Sequence, residues 1–187
     1  FRSVTIGFNK CDLVSEEEKE NLQKIYAPAG YDILFTSVKT GENIDRLKAL
    51  LAEKTTTVAG PSGVGKSSLI NELQTGVRMQ TGAISDKIGR GKHTTRHSEI
   101  ISIGQDTYIM DTPGFSSMDL PGFEKEDLWT CYPEFVPYEP ECRFIGCSHI
   151  GEPDCGVKNA LAEGKINQVR YDNYVMLYEE MKNIHKY

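Results

Sequence analysis

Apolar positions change their period several times along this 187-residue chain, and each change predicts an element. Alternating or β-branched runs at 1–8, 31–35, 55–59, 99–103 and 107–110 predict strands, the last two joined by a glycine-containing hairpin turn. Helical spacing appears at 15–27 (Leu22, Ile25 and Tyr26 inward), at 44–51 (Ile44, Leu47, Leu50, Leu51), at 68–73, and at 168–185. Ser15 and Glu18 form a capping-box pair at the start of the first helix, and Pro28 to Gly30 stop it. The span 116–140 breaks this rhythm with four prolines and the only tryptophan, and predicts a connector with one helical turn near 124–129. Strands followed by helices over the first two thirds predict an α/β fold.

The most specific stretch stands between the third strand and the helix after it. Gly60-Pro61-Ser62-Gly63-Val64-Gly65-Lys66-Ser67-Ser68 carries GxxxxGK[ST] in the strand-to-helix setting that its chemistry needs. Glycines let the backbone wrap a phosphate, and successive N–H groups with the helix N-terminus direct positive partial charge at it. Lys66 is expected to reach the β- and γ-phosphates, and the Ser67 hydroxyl to ligate Mg²⁺.

Upstream, the first strand ends in Asn9-Lys10-Cys11-Asp12, at the carboxyl end where open α/β sheets gather ligands. The Asp12 carboxylate can accept hydrogen bonds from N1–H and the exocyclic amine of guanine, whereas adenine has no N1–H. Asn9 can bond the other edge of the base, and the Lys10 stem can pack over its face. One strand later, the corner Ser37-Val38-Lys39 can offer a backbone N–H to a purine oxygen. NKxD followed by such a loop resembles the guanine-binding motifs of translation-factor-like GTPases. Here the base readers precede the phosphate loop, so the order is circularly permuted.

Downstream, 84–97 mixes glycine and charge without periodicity, as a loop does. Its Thr94-Thr95 pair stands where a GTPase's first switch supplies a threonine to Mg²⁺ and the γ-phosphate. Thr95 is favoured over Thr94, although spacing does not separate them. Lys87, Arg90, Lys92 and Arg96 are equally a solvated face or RNA contacts. The last strand runs into Asp111-Thr112-Pro113-Gly114, in which Asp111 can hold Mg²⁺ through water and the Gly114 N–H can sense the γ-phosphate. Phe115 follows where many GTPases carry a water-orienting glutamine, so His93 becomes the in-chain candidate to position water, alongside a plain loop role.

The cysteines change the reading of the tail. Three of the five, with one histidine, fall as Cys142-x4-Cys147-x-His149-x5-Cys155, a donor set that can surround Zn²⁺ tetrahedrally and staple a small loop-rich segment. Unlinked buried thiols are the competing reading, and Cys131 is left structural. Tyr171, Tyr174 and Tyr178 share one side of the last helix and are expected to pack against their own domain, with base stacking as the alternative.

Composition adds limits. Hydrophobic residues are 39% and charged residues 26%, and no apolar run approaches the ~20 residues of a membrane span, so a cytoplasmic monomer without membrane association is expected. A net charge of −6 argues against coating nucleic acid by charge alone but leaves room for a local basic face. Phe1 opens mid-strand without an initiator methionine, which suggests missing upstream sequence.

Permuted order, GPSGVGKSS, GRGKHTT, DTPGF and C-x4-C-x-H-x5-C together resemble the ribosome small-subunit-dependent GTPase A (RsgA/YjeQ) family across essentially the whole chain. The resemblance implies a GTP hydrolase of late small-subunit maturation, stimulated by the subunit and involved in releasing assembly factors, with the subunit, its rRNA and those factors as partners. It also implies an N-terminal OB-fold, which these residues do not contain. The expected architecture is a circularly permuted P-loop GTPase domain, Rossmann-like and three-layered, over 1–117, then a small, mainly helical zinc-binding domain over 118–187. GTP or GDP, Mg²⁺ and one structural Zn²⁺ are the expected cofactors. Since Gly114 leads straight into the connector, loss of the γ-phosphate is expected to reorient the zinc domain. A nucleotide-gated rRNA-binding switch with incidental turnover and a P-loop ATPase are the competing functions.

Overall fold

The computed structural model describes residues 3–81, 99–111 and 124–184. Its elements are β1 (Thr5–Asn9), α1 (Glu16–Tyr26), β2 (Asp32–Thr36), α2 (Ile44–Leu51), β3 (Thr55–Val58), α3 (Lys66–Thr81), β4 (Glu99–Gly104), β5 (Thr107–Asp111), α4 (Gly156–Ala162) and α5 (Gln168–Ile184). Local chemistry accounts for most of them. Three threonines and a valine make β3, where β-branching favours the pleat. Three glutamates open α1 against the helix dipole, and Gly30 in the left-handed region, its N–H on Ala27 O at 2.9 Å, closes the turn that follows.

Contacts divide the chain into two units: Phe1–Ile6, Glu16–Ile33 and Asp119–Tyr187 in one, Gly7–Ser15 and Leu34–Met118 in the other. In the second, β5 is the centre of a three-stranded sheet, parallel to β3 and antiparallel to β4. The inward side chains Ile101, Ile103 and Ile109 meet Ile44, Leu47 and Leu51 of α2 and Ile70 and Leu73 of α3. That packing fixes the N-terminus of α3, and therefore the phosphate loop, at the carboxyl end of β3. β1 and β2 form a separate two-stranded sheet.

The other unit has an aromatic core. Leu128, Tyr132, Phe135, Val157, Ile166 and Tyr174 are buried together with Cys147 and Cys155, and the Tyr132, Phe135 and Tyr174 rings lie 5.0–5.2 Å apart. The expectation of a connector across 116–140 needs correction from residue 124 onward. A 3₁₀ helix over Lys125–Cys131 and the turns after it bury Leu128, Tyr132 and Phe135, whose spacing the intervening prolines and acids had disguised. Helix α4 was not foreseen either. It starts at Gly156, where a Cβ would collide with Tyr138 O and the Glu141 side chain, so the close approach of that backbone admits only glycine. Helix α1 belongs to this unit and packs against α5.

Among the described residues no helix is long and apolar enough to cross a membrane.

Candidate nucleotide site and metal centre

The phosphate loop leaves β3 at Val58 and enters α3 at Lys66, which puts the N-terminal N–H groups of a long helix at the loop's rim. Gly63 and Gly65 hold φ values of +82° and +95°, where a side chain would be strained. At Gly65 space decides as well, because a Cβ would strike Asn9 Nδ2. The Lys66 ammonium folds back onto the loop, donating to Gly60 O at 2.7 Å and Pro61 O at 2.9 Å.

Two side chains expected at the base tie the base-reading turn to this loop. Asn9 Nδ2 donates to Val64 O at 2.9 Å, and Lys10 Nζ donates to Gly63 O at 2.8 Å. Lys10 itself sits at φ 63°, a strained conformation for a lysine, which aims its stem at the loop. Sequence reasoning missed this pair of tethers. The one available signal was that both residues are donors and that a glycine-rich loop exposes carbonyls.

Asp12 and Ser37 meet across the turn: Ser37 Oγ donates to Asp12 Oδ1 at 2.6 Å, and Lys39 Nζ lies 3.5 Å from Asp12 Oδ2. The hydroxyl of Ser37, helped less strongly by a backbone N–H and by the Lys39 ammonium, holds the Asp12 carboxyl below its ordinary value against the opposing effect of burial. Ser37 is fully buried. Its backbone N–H is spent on Glu42 O, so any backbone donor to a purine oxygen falls to Val38 or Lys39. These groups enclose a pocket of about 350 Å³, with Asn9, Lys10, Asp12 and Leu13 on one side, Ser37, Val38 and Lys39 on another, and Gly65 and Ser68 of the phosphate loop on the third.

In the other unit, the four donors singled out by spacing converge. The ligand atoms of Cys142, Cys147, His149 and Cys155 all lie within 4.8 Å of one another, and Cys131 stands exposed outside the cluster. A tetrahedron with Zn–S bonds of about 2.3 Å and a Zn–N bond of about 2.0–2.1 Å has edges of about 3.8 Å between sulfurs and about 3.5 Å from sulfur to nitrogen. Cys142 and Cys155 Sγ are 3.8 Å apart, and His149 Nδ1 is 3.5 Å from the first and 3.4 Å from the second. The donors therefore fit zinc. Burial pushes the Cys147 thiol up to about 12 and raises Cys155, while it lowers His149, so a bound divalent cation would displace thiol protons and bring the balancing charge.

The RsgA GTPase family model matches residues 2–121, well over half of the chain. The chain belongs to the RsgA GTPase family. The small ribosomal subunit biogenesis GTPase RsgA of Agathobacter rectalis is 72% identical over 98% of this chain and 61% of its own length, and that of Clostridium perfringens is 49% identical over 96% and 62%. The chain thus spans about three fifths of the length of these curated relatives. Among solved structures, YjeQ from Thermotoga maritima superposes with a TM-score of 0.76 at 36% identity, over 96% of this chain and 60% of that one. YloQ, described as a circularly permuted GTPase, gives 0.72 at 31% identity over 98% and 58%. The expected fold class, a circularly permuted GTPase with an added metal-type cluster, is borne out.

The RsgA-type tail holds its histidine in an ordered loop. Glu152 accepts from Ser148 N at 2.9 Å, Ser148 Oγ at 2.8 Å and Ile150 N at 3.3 Å, so residues on both sides of His149 hang on one carboxylate. Tyr171 OH donates to His149 O at 2.6 Å and Tyr174 OH to Ser148 O at 2.7 Å, so these tyrosines pack and bond against the loop of their own unit, as expected. Burial alone would raise the Glu152 carboxyl, but these hydrogen bonds hold it down to about 2, below its ordinary 4.5. A depressed carboxyl contributes stability that is present above 4.5 and lost as pH falls toward 2. Glu152→Gln is expected to destabilise this unit by about 1–3 kcal/mol at pH 7, because the amide presents a donor to three donors. Denaturant unfolding followed through Trp129 checks it, and an unchanged midpoint would contradict it.

Of the remaining candidates, Asp111 ends β5, one strand over from the phosphate loop. His93, Thr94, Thr95 and Gly114, together with Lys87, Arg90, Lys92 and Arg96, lie outside the described residues.

Proposed function

We propose that this chain binds GTP and hydrolyses it to GDP and phosphate in the maturation of the small ribosomal subunit. The observation that carries this reading is a pocket lined by both the Asp12–Ser37 pair and the phosphate loop, which Asn9 and Lys10 tie to each other. Such a lock sets a fixed distance between a guanine reader and a triphosphate reader. Asp12, ionised, accepts from N1–H and the exocyclic amine of guanine, and the Val38–Lys39 backbone donates to the purine oxygen. Gly60 to Ser68 surround the phosphates, with Lys66 exchanging Gly60 O and Pro61 O for phosphate oxygens. Mg²⁺, when bound, would neutralise phosphate charge. Ser67, Asp111 and Thr95, or Thr94 in its place, would hold it directly or through water, and the Gly114 N–H would face the γ-phosphate. His93 would position the attacking water.

In this reading 1–117 is the nucleotide-hydrolysing part and 118–187 the zinc-binding part, with Zn²⁺ held by Cys142, Cys147, His149 and Cys155. The relatives' name, small ribosomal subunit biogenesis GTPase, supports the small subunit as the partner; contact with its rRNA, release of assembly factors and a cytoplasmic place complete the proposal. Single-turnover hydrolysis by the full-length protein, with and without purified small subunits, tests the proposal. The expected result is slow intrinsic hydrolysis that the subunits accelerate, with acceleration lost and GTP affinity kept in His93→Ala. No acceleration by subunits would favour a binding switch with incidental turnover, and unchanged stimulated turnover in the variant would remove His93 from the chemistry.

A further inference from the structure

Of the two lysines that line the pocket, only one is committed to the loop. Lys10 is tied to Gly63 O. The Lys39 side chain is 79% exposed, and among the described residues its ammonium has one ion-pair partner, Oδ2 of Asp12, whose own side chain is only 11% exposed. The other oxygen of that carboxylate cannot yield. It accepts from Ser37 Oγ at 2.6 Å, and this hydroxyl is buried and itself takes the Thr40 N–H at 3.2 Å. A flexible, solvated cation therefore rests on the one oxygen of Asp12 that still has its outward side to offer.

We propose that Lys39 occupies the exocyclic-amine side of the guanine site, and that guanine recognition is an exchange in which the 2-amine displaces the Lys39 ammonium from Asp12 Oδ2. The inference rests on the guanine reading above. Before the nucleotide arrives, Lys39 keeps the Asp12 carboxylate paired and aimed. On arrival the amine donates to Oδ2 and the ammonium swings into solvent, where a four-carbon stem can take it at little expense. A base lacking the 2-amine has nothing to displace Lys39 with. Lys39 is thus a specificity-determining residue that acts by competition: it lowers the apparent advantage of the amine by the strength of the ion pair it must break.

Inosine triphosphate isolates this contribution, since it keeps N1–H and lacks the 2-amine. Dissociation constants for GTP, ITP and ATP should be measured for the native chain and for Lys39→Met, which keeps the apolar stem and removes the charge. Losing one positive charge weakens all three nucleotides alike, so the ratio of the ITP to the GTP constant is the readout. The ratio is expected to rise about two- to fivefold in Lys39→Met at low salt, the equivalent of one partly exposed ion pair. In the native chain the same ratio should rise toward that of the variant as salt is raised to about 0.3 M, because the pair is screened, while the variant stays flat. An equal or smaller ratio in Lys39→Met, or a native ratio that does not move with salt, overturns the exchange. If the native chain does not prefer GTP over ATP, the guanine reading itself falls and the exchange with it. A clear preference for GTP with an unmoved ITP ratio sinks the exchange alone.

Discussion

Asp12→Asn is expected to cut the preference for GTP over other nucleotides by about two to three orders of magnitude, while the phosphate loop continues to bind triphosphate. The carboxylate offers acceptors only, and guanine presents two adjacent donors to it. Each hydrogen bond to a charged group is worth about 1.5–3 kcal/mol, so losing the charge and turning one acceptor into a donor removes roughly 3–4 kcal/mol. Xanthine, which carries a carbonyl where guanine carries the amine, should gain affinity for the variant because the new amide N–H faces that carbonyl. Ser37 sharpens the effect. Its hydroxyl lies 2.6 Å from Oδ1 and holds the carboxyl below its ordinary range, so the native site is ionised at any working pH and base selection should not vary between pH 5 and 8. Competition binding with GTP, XTP and ATP measures all of this, and an unaltered GTP preference in the variant would remove Asp12 from base recognition.

Removing the metal should have a still larger effect on stability. Cys155→Ala, or chelation of the native chain, is expected to unfold the unit around residues 124–184, with near-UV circular dichroism from Trp129 and the tyrosine cluster collapsing. Structural zinc contributes about 10–16 kcal/mol in small sites, as much as the whole stability of an ordinary domain. This core has little to set against that loss, since Cys147 and Cys155 are themselves among its buried members and Ser148 and His149 supply the carbonyls that Tyr174 and Tyr171 bond. One equivalent of zinc should be released per chain by chelation, and protons taken up by the freed thiols of Cys142, Cys147 and Cys155. Retention of a cooperative aromatic signal after complete metal removal would show that the cluster is not the staple.

Much of this was legible because it rests on local chemistry. A phosphate loop needs glycines and a lysine at fixed spacing, a strand needs alternation, and a tetrahedral donor set needs four soft or imidazole ligands close together, so Gly60 to Ser68, β3 to β5 and Cys142 to Cys155 could be named from the chain alone. Other features depended on partners distant in sequence. Asn9 and Lys10 carry the right atoms to touch a base, and nothing local said that Val64 O and Gly63 O, more than fifty residues away, would take them. Leu128, Tyr132 and Phe135 looked like parts of a connector because prolines and acids surround them, and only their convergence with Tyr174 makes them a core. Helix α1 announced a buried face through Ile25 and Tyr26 without saying against what it would be buried. Its actual neighbours include Arg170, whose guanidinium lies 5.7 Å from the Tyr26 ring and 2.6 Å from the Glu134 carboxylate.

The division of the chain bears on how the protein is made. The unit with the Cys142–Cys155 cluster takes its first helix from residues 16–26 and its last from residues 168–184, with most of the phosphate-loop unit lying between them in sequence. A ribosome adding roughly 5–20 residues per second must therefore leave α1 without its final partner for about eight to thirty seconds. The phosphate-loop unit, made of Gly7–Ser15 and Leu34–Met118, is complete before α5 emerges and can fold first during that interval. Synthesis should produce a guanine-binding intermediate before a zinc-binding one, with Tyr26 and Ile25 of α1 exposed to chaperones until the C-terminal helix emerges.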